Sequence, residues 1–144
     1  MNRSVLALIC VYSSALLLSG CGDKLATYPV QGKVQFANGK PLPGGSVEFL
    51  TKDAEGKAVN ARGAIQSDGT FQLKTRDKDG AIPGKHQIIV MPLRVDAVTK
   101  DTVIPPNPLD TRFSSYTTSG LSFTVEPKEQ NECVLTVKPP ANSQ

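Results

Sequence analysis

Apolar and polar residues alternate along the chain beyond residue 28, and turn residues separate the alternating stretches. A period of two is that of a β-strand with one face in the core. Residues 86–91, where apolar residues are adjacent, are typical of a central strand covered on both faces. The seven stretches, with no helical periodicity among them, predict an all-β fold, a seven-stranded antiparallel β-sandwich. In the other six stretches the residues expected to face the core are Val30, Gly32, Val34 and Phe36; Val47 and Phe49; Val59, Ala61, Gly63 and Ile65; Phe71 and Leu73; Leu121, Phe123 and Val125; and Cys133, Leu135 and Val137.

Turn residues mark the ends of these stretches. Asn38-Gly39 and Asp68-Gly69 are pairs that favour the tight turns of β-hairpins. Residues 76–84 are predicted to form a loop, and residues 139–144 a flexible tail. The sandwich domain is therefore expected to span residues 28–138.

The longest irregular stretch lies between Met91 and Leu121 and is 29 residues long. A loop of that length in a compact domain is often functional or disordered. It contains residue types that commonly anchor protein interfaces and that no strand claims for the core: Arg94, Arg112, Phe113 and Tyr116. We interpret these four residues as a candidate contact for a partner. The alternative is a Pro-rich loop whose composition has no functional meaning.

The first 20 residues have the pattern of a removable signal peptide. Arg3 precedes an apolar run of 14 residues, from Val5 to Leu18, whereas a membrane-spanning helix needs about 20. The sequence Leu18-Ser19-Gly20-Cys21 then resembles the lipobox of bacterial lipoproteins. That resemblance implies lipidation of the Cys21 thiol, palmitate among the acyl chains, and residues 21–27 as a lipidated tether. An ordinary secretory signal with a chance cysteine is the alternative.

The resemblance also implies where the protein resides. A lipoprotein is exported and held in the bacterial cell envelope by its acyl chains, so the membrane is its first partner. Gly22, rather than Asp, follows Cys21, which implies the outer membrane rather than the inner one.

Composition and charge exclude some partners. Sixteen basic and 13 acidic residues give a formal net charge of +3, which is too balanced for a protein that binds nucleic acid by neutralising phosphates. Cys133 is in phase with Leu135, which predicts a buried thiol that acts as a small apolar side chain.

The chain has few residues of the types that carry catalysis or bind metals. His86 is the only histidine, and no candidate nucleophile or second metal ligand accompanies it, so we expect a structural or exposed histidine, no catalysis, no zinc and no cofactor. Asp77-Lys78-Asp79-Gly80 has two carboxylates before a glycine. A solvated turn is the simpler interpretation of that loop, and calcium binding stays open.

Four segments in a fixed order resemble the carboxypeptidase regulatory-like domain, in its form as a small bacterial lipoprotein: residues 28–34, 38–44, 67–73 and 79–86. The resemblance implies a transthyretin-like seven-stranded sandwich and a non-catalytic accessory module. Hydroxyisourate hydrolases share that fold, but they use several histidines and a Tyr-Arg-Gly-Ser ending, whereas this chain ends Ala-Asn-Ser-Gln. Residues 107–118 make the long stretch longer than is usual in the family.

Two functions remain after these exclusions. The first is a structural or protein-interaction module that contacts an unknown envelope protein. The second is a lipoprotein that binds a glycan or another small molecule, although the four strand phenylalanines point inward and only Tyr28, Phe113 and Tyr116 are left to stack on a sugar.

Overall fold

Nine strands and one short 3₁₀ helix, Thr111–Ser114, are present in the computed structural model, which describes residues 25–93 and 107–141. The prediction of an all-β fold is confirmed for these residues. The predicted signal peptide, the lipobox Leu18 to Cys21, Arg94 and the end of the tail lie outside the described residues. The strands are β1 (Val30–Phe36), β2 (Ser46–Lys52), β3 (Ala58–Ala64), β4 (Thr70–Gln72), β5 (Lys74–Thr75), β6 (Lys78–Asp79), β7 (Gly84–Met91), β8 (Leu121–Val125) and β9 (Asn131–Val137).

The strands form two sheets that enclose one core, the arrangement of a β-sandwich. One sheet has the order β4-β1-β9 and the other the order β6-β5-β3-β2-β7-β8. All neighbours are antiparallel except β1 and β9, which pair in parallel from Val30↔Asn131 to Phe36↔Val137. The prediction of a wholly antiparallel sandwich is therefore wrong for this pair. Alternation specifies which face of a strand is buried but not the direction of the strand.

The number of strands also differs from the seven predicted. The stretch with Phe71 and Leu73 is divided, because the chain passes from one sheet to the other between β4 and β5. Gly63 on β3 permits this crossing, since a Cβ there would lie 2.5 Å from the carbonyl oxygen of Gln72. In addition, the short strand β6 lies within residues 76–84, which the sequence predicted as a loop.

The core centres on Phe49, whose side chain is fully buried. Its ring centroid lies 6.1 Å from that of Phe71, 5.9 Å from that of His86 and 6.3 Å from that of Phe123. Phe71 is buried, and Phe36 and Phe123 are partly buried against the same core. The predicted inward phase of the four strand phenylalanines is thus confirmed.

Phe113 is buried as well, which corrects the expectation that it lies outside the core. It is 4% exposed, and Leu109 beside it is 1% exposed. Asp110 holds this turn in place, because its carboxylate accepts a hydrogen bond of 2.9 Å from the backbone N–H of Arg112 and its own N–H donates to the carbonyl of Lys138 just beyond β9. Isolated apolar residues in an irregular segment have no periodicity, so the sequence does not distinguish such a core contact from an exposed loop.

Candidate interaction surfaces

Glu48 is the centre of a polar cluster on the outer face of the six-stranded sheet. It faces Arg62 in the β2–β3 register and is only 6% exposed. Its Oε2 lies 2.7 Å from Nε of Arg62, and its Oε1 accepts a hydrogen bond of 2.7 Å from the hydroxyl of Tyr116. Asn60 Nδ2 donates to the same Oε1. Both carboxylate oxygens thus have donors, as a buried carboxylate requires.

The cluster fastens the segment that follows the 3₁₀ helix to the sheet. Burial raises the pKa of the Tyr116 hydroxyl, and the hydrogen bond to Glu48 raises it further, so the hydroxyl remains a neutral donor. The alternation placed Glu48 on the outer face but gave no sign that it is buried. An acid between two apolar strand residues is ordinary, and the tyrosine that covers it comes 68 residues later.

The four residues predicted as a partner contact do not form one exposed surface. Phe113 is in the core, and Tyr116 is half-buried with its hydroxyl bound to Glu48. Arg112 is exposed, with its guanidinium 5.4 Å from the centroid of the Phe113 ring. Arg94 lies outside the described residues.

His86 is a buried structural histidine. It is 1% exposed, and its Nε2 lies 2.9 Å from the carbonyl oxygen of Ile82, so Nε2 carries a hydrogen and donates it. Its Nδ1 has no hydrogen-bond partner among the described residues. Burial lowers the pKa of the imidazole below its usual value, which keeps the ring neutral at pH 7.

Cys133 and the Asp77–Gly80 loop complete the groups that the sequence singled out. Cys133 is 4% exposed, which confirms its predicted burial, and burial raises the pKa of its thiol to about 12. Asp77 and Asp79 are exposed, and Asp79 Oδ1 lies 3.4 Å from Nζ of Lys74. Within residues 25–93 and 107–141, no three His, Cys, Asp or Glu side chains are grouped as a metal site would require.

Strand β9 forms an edge of the three-stranded sheet, with β1 as its one neighbour in the described part of the chain. The N–H of Asn131 donates to the carbonyl of Pro29 at the start of β1. Alternate residues of a strand direct their N–H groups to opposite sides, so those of Glu132, Val134 and Thr136 are directed to the open edge. Val134 is 66% exposed, which is rare for a large apolar side chain in this fold.

A groove of about 770 Å³ runs across the outer face of the three-stranded sheet to the edge of β3. Most of the residues that line it are polar or charged, but the surface that they present to the groove is more apolar than polar. The side chains that line it include Gln31, Lys33, Arg62, Gln66, Thr70, Gln72, Lys74, Glu132 and Val134.

No model of a known protein family matches the chain, and no curated protein matches it in sequence. As for the membrane, none of the helical structure in the described residues is long and apolar enough to span a bilayer.

Proposed function

We propose that the chain is a non-catalytic lipoprotein of the bacterial cell envelope. In this proposal its Cys21 is lipidated, its acyl chains lie in the outer membrane, and its domain contacts another envelope protein through the open edge of β9. The anchor is supported by the sequence Leu18-Ser19-Gly20-Cys21, whose first residue ends an apolar run of the length found in the apolar region of a signal peptide. Two or more acyl chains hold a protein on a membrane stably, whereas one does not.

The observation that carries the interaction role is the edge of β9. A seven-residue strand with a free row of N–H and C=O groups is a template on which another chain can add a strand. The exposed side chains of β9 alternate as Glu132, Val134 and Thr136, so an added strand would find one apolar side chain between two polar ones. Backbone hydrogen bonds would supply affinity, and these side chains would supply specificity.

The test is recovery of the native lipoprotein with its neighbours from solubilised membranes. Val134→Pro removes an N–H that is directed to the open edge and leaves the ladder to β1 intact, because Pro is tolerated on an edge strand whose N–H faces outward. Val134→Thr is the matched control, since it keeps the N–H and a β-branched side chain. We expect the proline variant to fold and to lose the partner, and the threonine variant to keep it. Recovery of the partner with both variants would refute the role of this edge.

As part of the same proposal, we assign the domain to the carboxypeptidase regulatory-like kind, which has a transthyretin-like fold. The support is that the motifs carrying the resemblance serve as turns at close approaches of the chain. Gly80, for example, has a φ of 90°, and a Cβ there would overlap the backbone of Tyr28. An experimentally determined structure with a strand order different from that of the family would refute this assignment.

A second candidate function is ligand binding, and the groove over the three-stranded sheet favours it. Gln31 and Gln72 face each other across β1 and β4 in this groove, and amide side chains both donate and accept hydrogen bonds, as sugar hydroxyls require. A thermal-shift screen against glycans tests the idea, since a ligand raises the melting temperature by mass action. A shift that persists in Gln72→Ala would place the ligand elsewhere.

A further inference from the structure

At one end of the sandwich, the residues that precede β1 are hydrogen-bonded to the rest of the domain. We call the turn at residues 53–57, together with residues 25–28 and 76–78, the tether end. Tyr28 and Ala81 exchange two backbone hydrogen bonds of 2.9 and 3.0 Å, and Nζ of Lys78 donates to the carbonyl of Leu25 at 3.0 Å. Residues from Leu25 onward are therefore part of the folded domain.

The covalent geometry of the chain limits how far this end lies from the lipid. Cys21 precedes Leu25 by four residues, and an extended chain spans at most about 14 Å over that length. The headgroup layer is about 5–8 Å thick on each side of the hydrocarbon. The opposite end of the sandwich, where β1 turns at Ala37, is farther away by the length of a seven-residue strand, about 20 Å.

A hollow of about 500 Å³ lies at the tether end beside Leu25. Lys52, Lys57 and Arg76 contribute three cations to its lining, against the carboxylates of Asp53 and Glu55. The Asp53 carboxylate is engaged in the turn, because its Oδ1 accepts hydrogen bonds from the backbone N–H groups of Glu55 and Lys57. Of the groups in this lining, the three cations are the ones that can donate charge-assisted hydrogen bonds to a phosphate.

We infer that the tether end rests on the bilayer surface and that Lys52, Lys57 and Arg76 contact lipid phosphates in this hollow. The inference rests on the proposed anchor at Cys21. The acyl chains supply the affinity, so the cations need only orient a domain that is already held within a Debye length of the headgroups. The surface left for a protein partner is then the side and the far end of the sandwich.

Tryptophan fluorescence tests the orientation, because the chain has no tryptophan of its own. Ala54→Trp and Ala37→Trp place one indole in an exposed turn at each end. The chain from Cys21 onward is coupled through the Cys21 thiol to a maleimide lipid in vesicles of phosphatidylethanolamine and phosphatidylglycerol. Some of the lipid carries a nitroxide on its headgroup. Chemical coupling makes the result independent of whether cells lipidate the protein, which palmitate incorporation tests separately.

We expect several-fold stronger quenching for Ala54→Trp than for Ala37→Trp. Equal quenching, or the reverse order, would overturn the orientation. In the Ala54→Trp background, the double reversal Lys52→Glu and Lys57→Glu should weaken the quenching, whereas Lys40→Glu with Lys138→Glu, at the far end, should not. If the first pair of reversals leaves the quenching unchanged, the phosphate contact is wrong.

Discussion

The hydroxyl of Tyr116 donates a hydrogen bond of 2.7 Å to the buried carboxylate of Glu48, across 68 residues of sequence. Tyr116 belongs to a segment without regular structure, and Glu48 to the second strand of the larger sheet. This contact fixes the segment that follows the 3₁₀ helix on the outer face of the sheet, and the helix itself is fixed by Phe113, whose ring lies in the core.

Tyr116→Phe should destabilise the domain, because it removes a donor from a carboxylate that is 6% exposed. Hydrogen bonds to charged groups contribute about 1.5–3 kcal/mol, and the half-exposed Tyr116 argues for the lower end. Urea unfolding provides the measurement. Tyr28→Phe is the matched control, since the hydroxyl of Tyr28 bonds to nothing in the described part of the chain, and it should leave the midpoint almost unchanged. Equal shifts would show that the hydrogen bond is unimportant.

Phe113→Ala should lower the free energy of unfolding by an amount similar to Phe71→Ala, about 3–5 kcal/mol for each buried ring. The alternation predicts burial of Phe71 but not of Phe113, whereas in the structure Phe113 is 4% exposed and Phe71 is 2% exposed. Val134→Ala, at an exposed position, is the control. A small effect of Phe113→Ala would mean that the 3₁₀ turn does not hold its ring in the core in solution.

His86 should make the protein less stable as the pH falls below about 6.5, the usual pKa of histidine. Burial lowers the pKa of His86 in the folded state. The unfolded chain therefore binds the proton first, and the stability present above pH 6.5 is lost as the pH falls toward the folded-state pKa. Urea unfolding at pH 7.5 and at pH 5.5 measures the loss. His86→Leu should show a smaller loss, and an identical loss in both proteins would contradict the assignment.

Cys21→Ser should abolish the proposed anchor, in which the diacylglycerol attaches through the thiol of Cys21. The variant should incorporate no labelled palmitate and should stay in the aqueous phase on detergent partitioning. Cys133→Ala, which alters the buried thiol, should incorporate the label normally. Palmitate in the Cys21→Ser variant would refute the lipobox.

The strands and their buried faces could be predicted from the sequence because they depend on local alternation. Phe49 and Phe71 are examples: each is in phase with its apolar neighbours and each is buried. The direction of β9 could not be predicted from a local pattern. It depends on the turn after β8, which starts β9 at the same end of the sandwich as β1, where the N–H of Asn131 donates to the carbonyl of Pro29.

The candidate partner contact, unlike the strands, could not be predicted from the sequence. Arg112, Phe113 and Tyr116 were grouped by residue type, and the structure gives them different roles, since Arg112 is exposed, Phe113 is in the core and Tyr116 is bound to Glu48. Neither the edge of β9 nor the burial of Glu48 is visible in a local pattern. Both depend on which parts of the chain become neighbours after folding.

The parallel pairing of β1 with β9 has a consequence for the order in which the domain assembles as the chain is synthesised. The first and last strands are partners, and Gln31 and Glu132, which are 101 residues apart, face each other across the pair. A chain that emerges amino terminus first leaves β1 with one side unpaired until its final residues appear, and such long-range pairing is slow to form. A chain that stops at residue 130 should expose Val30 and Val34 together with a bare strand edge, and such species aggregate. Completion of the last strand is therefore the step that commits the chain to the folded sandwich.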